Sequence, residues 1–177
     1  TIGFIDELPS DLLDAFHATL DESLKCDLLL LVVDCSDDIS EFKRKLSTTR
    51  REVLDRGDES GINLKVVLTK SDLGGDVDSA IDVVTSMGMQ EPLVISSHNG
   101  EGLDELREAI MYSLYGPKTT LVVSESAPGQ RSSKSYISQI YDLGIVTEKN
   151  GLEMTLWCGQ AELLKLISKS EGRISIK

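Results

Sequence analysis

The sequence predicts an α/β chain: a doubly wound parallel sheet followed by a small α+β unit. Three observations carry this. The runs DLLLLVVD (27–34), LKVVLTK (64–70) and PLVIS (92–96) are short and apolar, as strands covered on both faces are. Each of the first two is followed by a segment of helical period, and such alternation implies parallel pairing with right-handed crossovers. The alternation stops at Gly116-Pro117, and the charge balance changes there. Residues 1–116 carry 24 Asp and Glu against 10 Lys and Arg, whereas residues 117–177 carry 6 against 8. Two domains are therefore expected, 1–116 and 117–177.

Composition bounds the rest. At 177 residues with 40% hydrophobic content the chain has material for a packed core, and with only 5% aromatic residues that core should be aliphatic. No apolar run approaches the ~20 residues of a membrane-spanning helix, so no membrane partner is expected. The acidic first part argues against binding DNA through bulk charge. Cys26, Cys35 and Cys158 are odd in number and lack CxxC spacing, so they read as core fillers in a reducing compartment rather than as a zinc site. That compartment is expected to be the cytoplasm, with a plastid or mitochondrion as the alternative.

The elements follow in order. Ser10 can cap a helix whose apolar face is Leu12, Leu13, Phe16, Leu20 and Leu24. After the first strand, Ile39, Phe42, Leu46 and Val53 mark a second helix. A third spans roughly 76–87, and a fourth runs from Gly102 to Tyr115 with Leu103, Leu106, Ile110 and Leu114 on one face. Beyond Gly116-Pro117 come a strand (119–124), a helix (134–143) that Gly144 can terminate, and a hairpin about Asn150-Gly151. A helix (161–168) and a strand (172–176) finish the order βαββαβ, which resembles a small ferredoxin-like domain.

In open parallel sheets ligands sit beyond the carboxyl ends of the strands. Asp34, Lys70-Ser71-Asp72 and Ser96-Ser97 all lie there. In TKSD (69–72), Asp72 can accept hydrogen bonds from the N1–H and 2-amino groups of guanine, a donor pair that adenine lacks, while the stem of Lys70 can lie along the base. Thr69 can tie neighbouring loops together. In SSHNGEG (96–102), a backbone N–H can reach the guanine O6. Either motif alone also reads as a helix-capping loop. Placed on adjacent strand ends, they support each other. Asp34, Asp37 and Asp38 form an acidic strand end that reads as a cation site or as solvated loop charge. His17 reads as a packed or surface histidine, and Trp157 as core.

The opening stretch TIGFIDELP supplies a third element. A nucleotide switch strand ends in Asp-x-x-Gly, where the Asp orders the Mg²⁺ water shell and the Gly N–H senses the γ-phosphate. Thr1, Ile2 and Gly3 fit the last three positions.

TIGFIDELPSDLLDAFHATLDE, CDLLLLVVDCSD and VVLTKSD together resemble the HflX family of translational GTPases over about residues 1–115. The resemblance implies an incomplete P-loop-type G domain, GTP and Mg²⁺ as ligands, and GTP hydrolysis coupled to the large ribosomal subunit (its RNA and proteins) in splitting stalled or idle ribosomes. It carries Thr1, Ile2 and Gly3 onto the switch box, Thr69, Lys70, Ser71 and Asp72 onto the guanine box, and Ser96, Ser97 and His98 onto the base loop. Thr69 stands where Asn is usual and Ser97 where Ala is usual. Phe4 occupies the position of a water-orienting Gln, so slow intrinsic turnover is expected, and the catalytic residue is left unassigned. No GxxxxGK[ST] occurs in the 177 residues, so the Mg²⁺ ligands are expected elsewhere. The chain then reads as the C-terminal part of a larger GTPase, expected not to turn over GTP by itself. A non-enzymatic interaction module that keeps the sheet is the alternative. A phospho-acceptor receiver built on Asp34 and Lys70 is a third reading, which leaves TKSD and SSHNG unexplained.

Overall fold

The computed structural model describes residues 18, 20–56, 63–125 and 132–177. Thr1 to Gly3, Phe4, His17 and the expected helix from Ser10 lie outside them, apart from its end, where Leu20 is buried. The chain divides into two compact units, Thr1–Glu108 and Ala109–Lys177. Among the described residues, no helix is long and apolar enough to cross a membrane.

The first unit contains β1 (Leu29–Asp34), α1 (Ile39–Arg56), β2 (Leu64–Thr69), α2 (Val77–Ser86) and β3 (Leu93–Val94). Helix α3 (Leu103–Tyr115) begins in it and crosses the division. The three strands pair in parallel in the order β1-β2-β3, with Asp34 beside Thr69 and Leu68 beside Val94. Strand and crossover helix alternate as the periodicity requires, and α1 and α2 pack against each other. Leu31, Val33, Val66 and Leu68 of the strands meet Phe42 and Leu46 of α1 and Ala80 and Val84 of α2. Burying each large aliphatic side chain contributes about 1.5–3 kcal/mol. On the other face of β1, Val32 remains 60% exposed. Asp76 starts α2 by accepting hydrogen bonds from the Ser79 N–H (3.0 Å) and hydroxyl (2.6 Å).

Several elements differ from the sequence expectation. The second strand stops one residue early, because Lys70 turns into the left-handed region (φ 63°) and starts a 3₁₀ turn over Ser71–Leu73. The third strand shortens to two ladder residues, although the Ile95 N–H still bonds to the Leu68 carbonyl. The apolar stripe expected of α3 is not core: none of its residues is buried, and Leu114 is 44% exposed.

The second unit contains β4 (Thr119–Val123), α4 (Ser133–Leu143), β5 (Gly144–Asn150), β6 (Glu153–Cys158), α5 (Gln160–Lys169) and β7 (Ile174–Ile176). Its sheet is antiparallel, in the order β5-β6-β4-β7. Leu121, Met154, Leu156 and Ile174 are buried against Tyr136 and Ile140 of α4 and Leu163 of α5. Gly144 ends α4 differently from the αL cap expected of it. Its backbone is extended and leads straight into β5, where a Cβ would stand 2.1 Å from the Trp157 carbonyl oxygen. The hairpin turns one residue later than Asn150-Gly151: Asn150 pairs with Glu153, so Gly151 and Leu152 form the loop. Trp157 is buried, but alternation along β6 sets it opposite Leu156 and Cys158, outside the main cluster, with the Lys118 ammonium 5.2 Å from its ring centre.

Candidate guanine-recognition site

The parallel register brings the ends of β1, β2 and β3 side by side. Three ties hold the first two ends together. The Cys35 N–H and thiol both reach the Thr69 carbonyl (3.1 and 3.0 Å), and the Thr69 hydroxyl donates to the Val33 carbonyl (3.2 Å). Thr69 thus bridges two strands with its own hydroxyl and carbonyl. Burial pushes the Cys35 thiol up, which makes it a weak nucleophile and a structural group.

Beyond Thr69 the chain turns sharply, and its two charged side chains engage opposite neighbours. Lys70 Nζ lies 2.5 Å from Asp34 Oδ2 at the end of β1. Asp72 Oδ1 accepts a hydrogen bond from the Ser96 hydroxyl, 2.5 Å away just beyond β3. Ser71 lies between them, its N–H bonding to the Ile95 carbonyl (3.3 Å) and its hydroxyl 3.4 Å from Glu101.

Ser96 is fully buried, and it organises the loop that follows. Its hydroxyl accepts the N–H groups of His98 (3.2 Å) and Asn99 (3.3 Å), while its own N–H bonds to the Glu101 carbonyl (2.9 Å). Among the described residues the Ser97 N–H has no hydrogen-bond partner. Gly102 closes the loop at φ 71°, where a Cβ would stand 2.0 Å from the Val94 carbonyl oxygen, so only glycine fits. His98 Nδ1 lies 3.6 Å from Asp72 Oδ2, with the imidazole largely in solvent.

The electrostatics follow from these contacts. The Ser96 hydroxyl, against opposing burial and with help from Asp72's own N–H and from His98, holds the Asp72 carboxyl below its ordinary value. Burial would raise Asp34, but hydrogen bonds from Lys70 and Ser36 and the Lys70 charge outweigh it and leave Asp34 lowered. Lys70 is raised by its hydrogen bond to Asp34 and by that carboxylate's charge. Asp72 therefore stays an acceptor-only carboxylate at neutral pH, with Oδ1 committed to Ser96 and lone pairs of Oδ2 available.

Chemically, the arrangement offers a fixed carboxylate and a neighbouring N–H donor from adjacent strand ends. That is the complement of a base edge with two donors and one carbonyl. Of the residues expected at this site, Thr69, Lys70, Ser71, Asp72, Ser96, Ser97 and His98 lie together on two adjacent loops. Thr1, Ile2 and Gly3 lie outside the described residues. The acidic strand end does not assemble a cation site: Asp34 pairs with Lys70, Asp37 with Lys45 (2.8 Å), and Asp38 caps the Ser40 N–H (2.9 Å). Among the described residues no three His, Cys, Asp or Glu side chains cluster to hold a metal. The sequence reading set Asp34 and Lys70 at neighbouring strand ends and joined them only in the receiver alternative; it did not anticipate their ion pair beside the base loop.

No family model matches the chain. Among curated proteins, it is 52% identical over 125 residues to a GTPase HflX of Methanocaldococcus jannaschii, covering 64% of this chain and 28% of that protein. It is 39% identical over 125 residues to a GTPase HflX of Thermofilum pendens, covering 64% and 27%. It is also 36% identical over 120 residues to "Putative GTP-binding protein 6" of Mus musculus, covering 64% and 21%. The chain thus spans little more than a quarter of the length of the HflX proteins it matches. A solved structure described as SsGBP mutation variant G235S superposes with a TM-score of 0.55 at 29% identity, over 64% of this chain and 40% of that one. Over the matched region, the chain is a relative of the HflX family of GTPases.

Proposed function

We propose that residues 1–116 form the guanine-recognising part of a P-loop-type G domain, and that the whole protein is a GTP-hydrolysing enzyme of HflX type. The observation that carries this reading is the Asp72 carboxylate, fixed by buried Ser96 beside the open Ser97 N–H. In this reading Oδ2 of Asp72 receives the N1–H and 2-amino groups of guanine, and the Ser97 N–H donates to O6. Adenine presents an acceptor at N1 and a donor at the six position, so both sets of protein groups would be left unpaired. The Lys70 stem borders the base. When GTP is bound, its triphosphate is the group cleaved, and the described residues serve the base end alone. Mg²⁺ would have to be held by residues other than those described.

Equilibrium binding of GMP and AMP to the chain tests this reading. The chain is expected to prefer GMP, and Asp72→Asn to remove the preference, costing tenfold or more in GMP affinity. The same variant gains affinity for XMP, because an amide N–H can meet the 2-oxo group of xanthine. Equal affinities of the unsubstituted chain for GMP and AMP would favour the non-enzymatic interaction module instead.

In the second unit, the strand order with its two covering helices supports a ferredoxin-like module. We assign the whole protein a partnership with the large ribosomal subunit in ribosome splitting, supported by the HflX relationship. Co-sedimentation of the chain with purified large subunits tests whether this portion contributes. Binding that survives 0.2 M salt supports it, and none at low salt contradicts it.

A further inference from the structure

We infer that Asp34 is a positioning residue for base recognition, acting through Lys70 to keep the lysine stem along one wall of the guanine site. This rests on the guanine reading above and adds to it a residue on a different strand. Lys70 and Asp72 diverge from one tight turn. The ammonium is drawn to the end of β1 and the carboxylate to the loop after β3, so the space beyond β2 is bordered on two sides. A lysine stem has four rotatable bonds, and an unanchored one samples many rotamers that ordering on a ligand would have to quench. Asp34 removes most of that freedom beforehand.

Asp34 is itself held in place. Its Oδ1 accepts the Ser36 N–H (2.9 Å) and the Ser36 hydroxyl (2.6 Å), which leaves Oδ2 for the ammonium. Its backbone lies in the β1–β2 ladder directly beside Thr69. The left-handed backbone of Lys70 sets the origin of the stem, and Asp34 sets its far end. The partners are 26% and 55% exposed, which makes this a partly solvated pair and keeps the expected effect modest.

The test is a double-mutant cycle on the chain, read as GMP affinity with AMP as control. Asp34→Asn keeps an oxygen for Ser36 and removes the charge that holds Lys70. It should weaken GMP binding roughly three- to fivefold. Asp34→Glu should recover part of the loss. In a Lys70→Ala background, Asp34→Asn should have no further effect, because Asp34 then has nothing to position. An unchanged affinity in Asp34→Asn would overturn the inference. So would a loss that persists undiminished in the Lys70→Ala background, since that marks a purely structural role at the strand end. Equal binding of GMP and AMP by the unsubstituted chain would overturn the guanine reading itself, and this role with it.

Discussion

At the scale of single residues, the site depends on one buried hydroxyl. Ser96 donates to Asp72 and accepts two loop N–H groups, so its removal strands three polar partners at once. Ser96→Ala should cost about 1–3 kcal/mol of stability, read by denaturant unfolding. It should also change the titration of Asp72. The ordinary value is 3.8, and the fold holds the group below it. A lowered carboxyl contributes stability that is fully present above the unfolded value and is lost as pH falls through the folded one. In the parent chain the Asp72 midpoint should therefore lie below 3.8, and in Ser96→Ala it should move up toward that value. A carboxyl ¹³C titration reads this directly, and an unmoved midpoint would show that Ser96 does not set the carboxylate. TKSD and SSHNGEG were legible beforehand as loops on adjacent strand ends, by residue type and by their place after apolar runs, but the Ser96 hydroxyl as the tie between them was not. The direct Asp34–Lys70 ion pair was not legible, because it joins residues 36 positions apart and depends on the strand register.

At the scale of elements, backbone crowding closes the loop after β3 that the Ser96 hydroxyl organises at its start. Gly102 combines a positive φ with a carbonyl oxygen 2.0 Å from where a Cβ would sit. Gly102→Ala should destabilise the chain by about 2–4 kcal/mol and loosen the base loop, measured by thermal unfolding. A change within 0.5 kcal/mol would show that the loop relaxes freely. Apolar periodicity located the strands and helices well wherever a covered face wrote itself into the sequence, as with Phe42 and Leu46 against Leu31 and Val33. It misled at α3, where the stripe Leu103, Leu106, Ile110 and Leu114 is regular but not buried. Periodicity reports that a face is apolar, not what covers it. The turn positions slipped for a related reason. Gly144 and Gly151 were visible as breaks, but close approach to the Trp157 carbonyl and the pairing of Asn150 with Glu153 decided their conformations.

At the scale of the whole molecule, the two units have separate cores with no shared residue, one parallel and one antiparallel. The change in charge and the break at Gly116-Pro117 led to an expected boundary at 116/117. The division between the compact units falls at Glu108/Ala109, inside α3. Composition could not place that point, since α3 is uniform in period across it. For the first unit we propose that the strand ends select guanine through Asp72 and the loop from Ser96. Titrating the ¹⁵N-labelled chain with GMP and with AMP tests this most directly. The account predicts saturable shifts with GMP confined to the amides of residues 69–72 and 96–99, weaker or absent with AMP, and lost in Asp72→Asn. Equal responses to both nucleotides, or shifts away from these two loops, would contradict it.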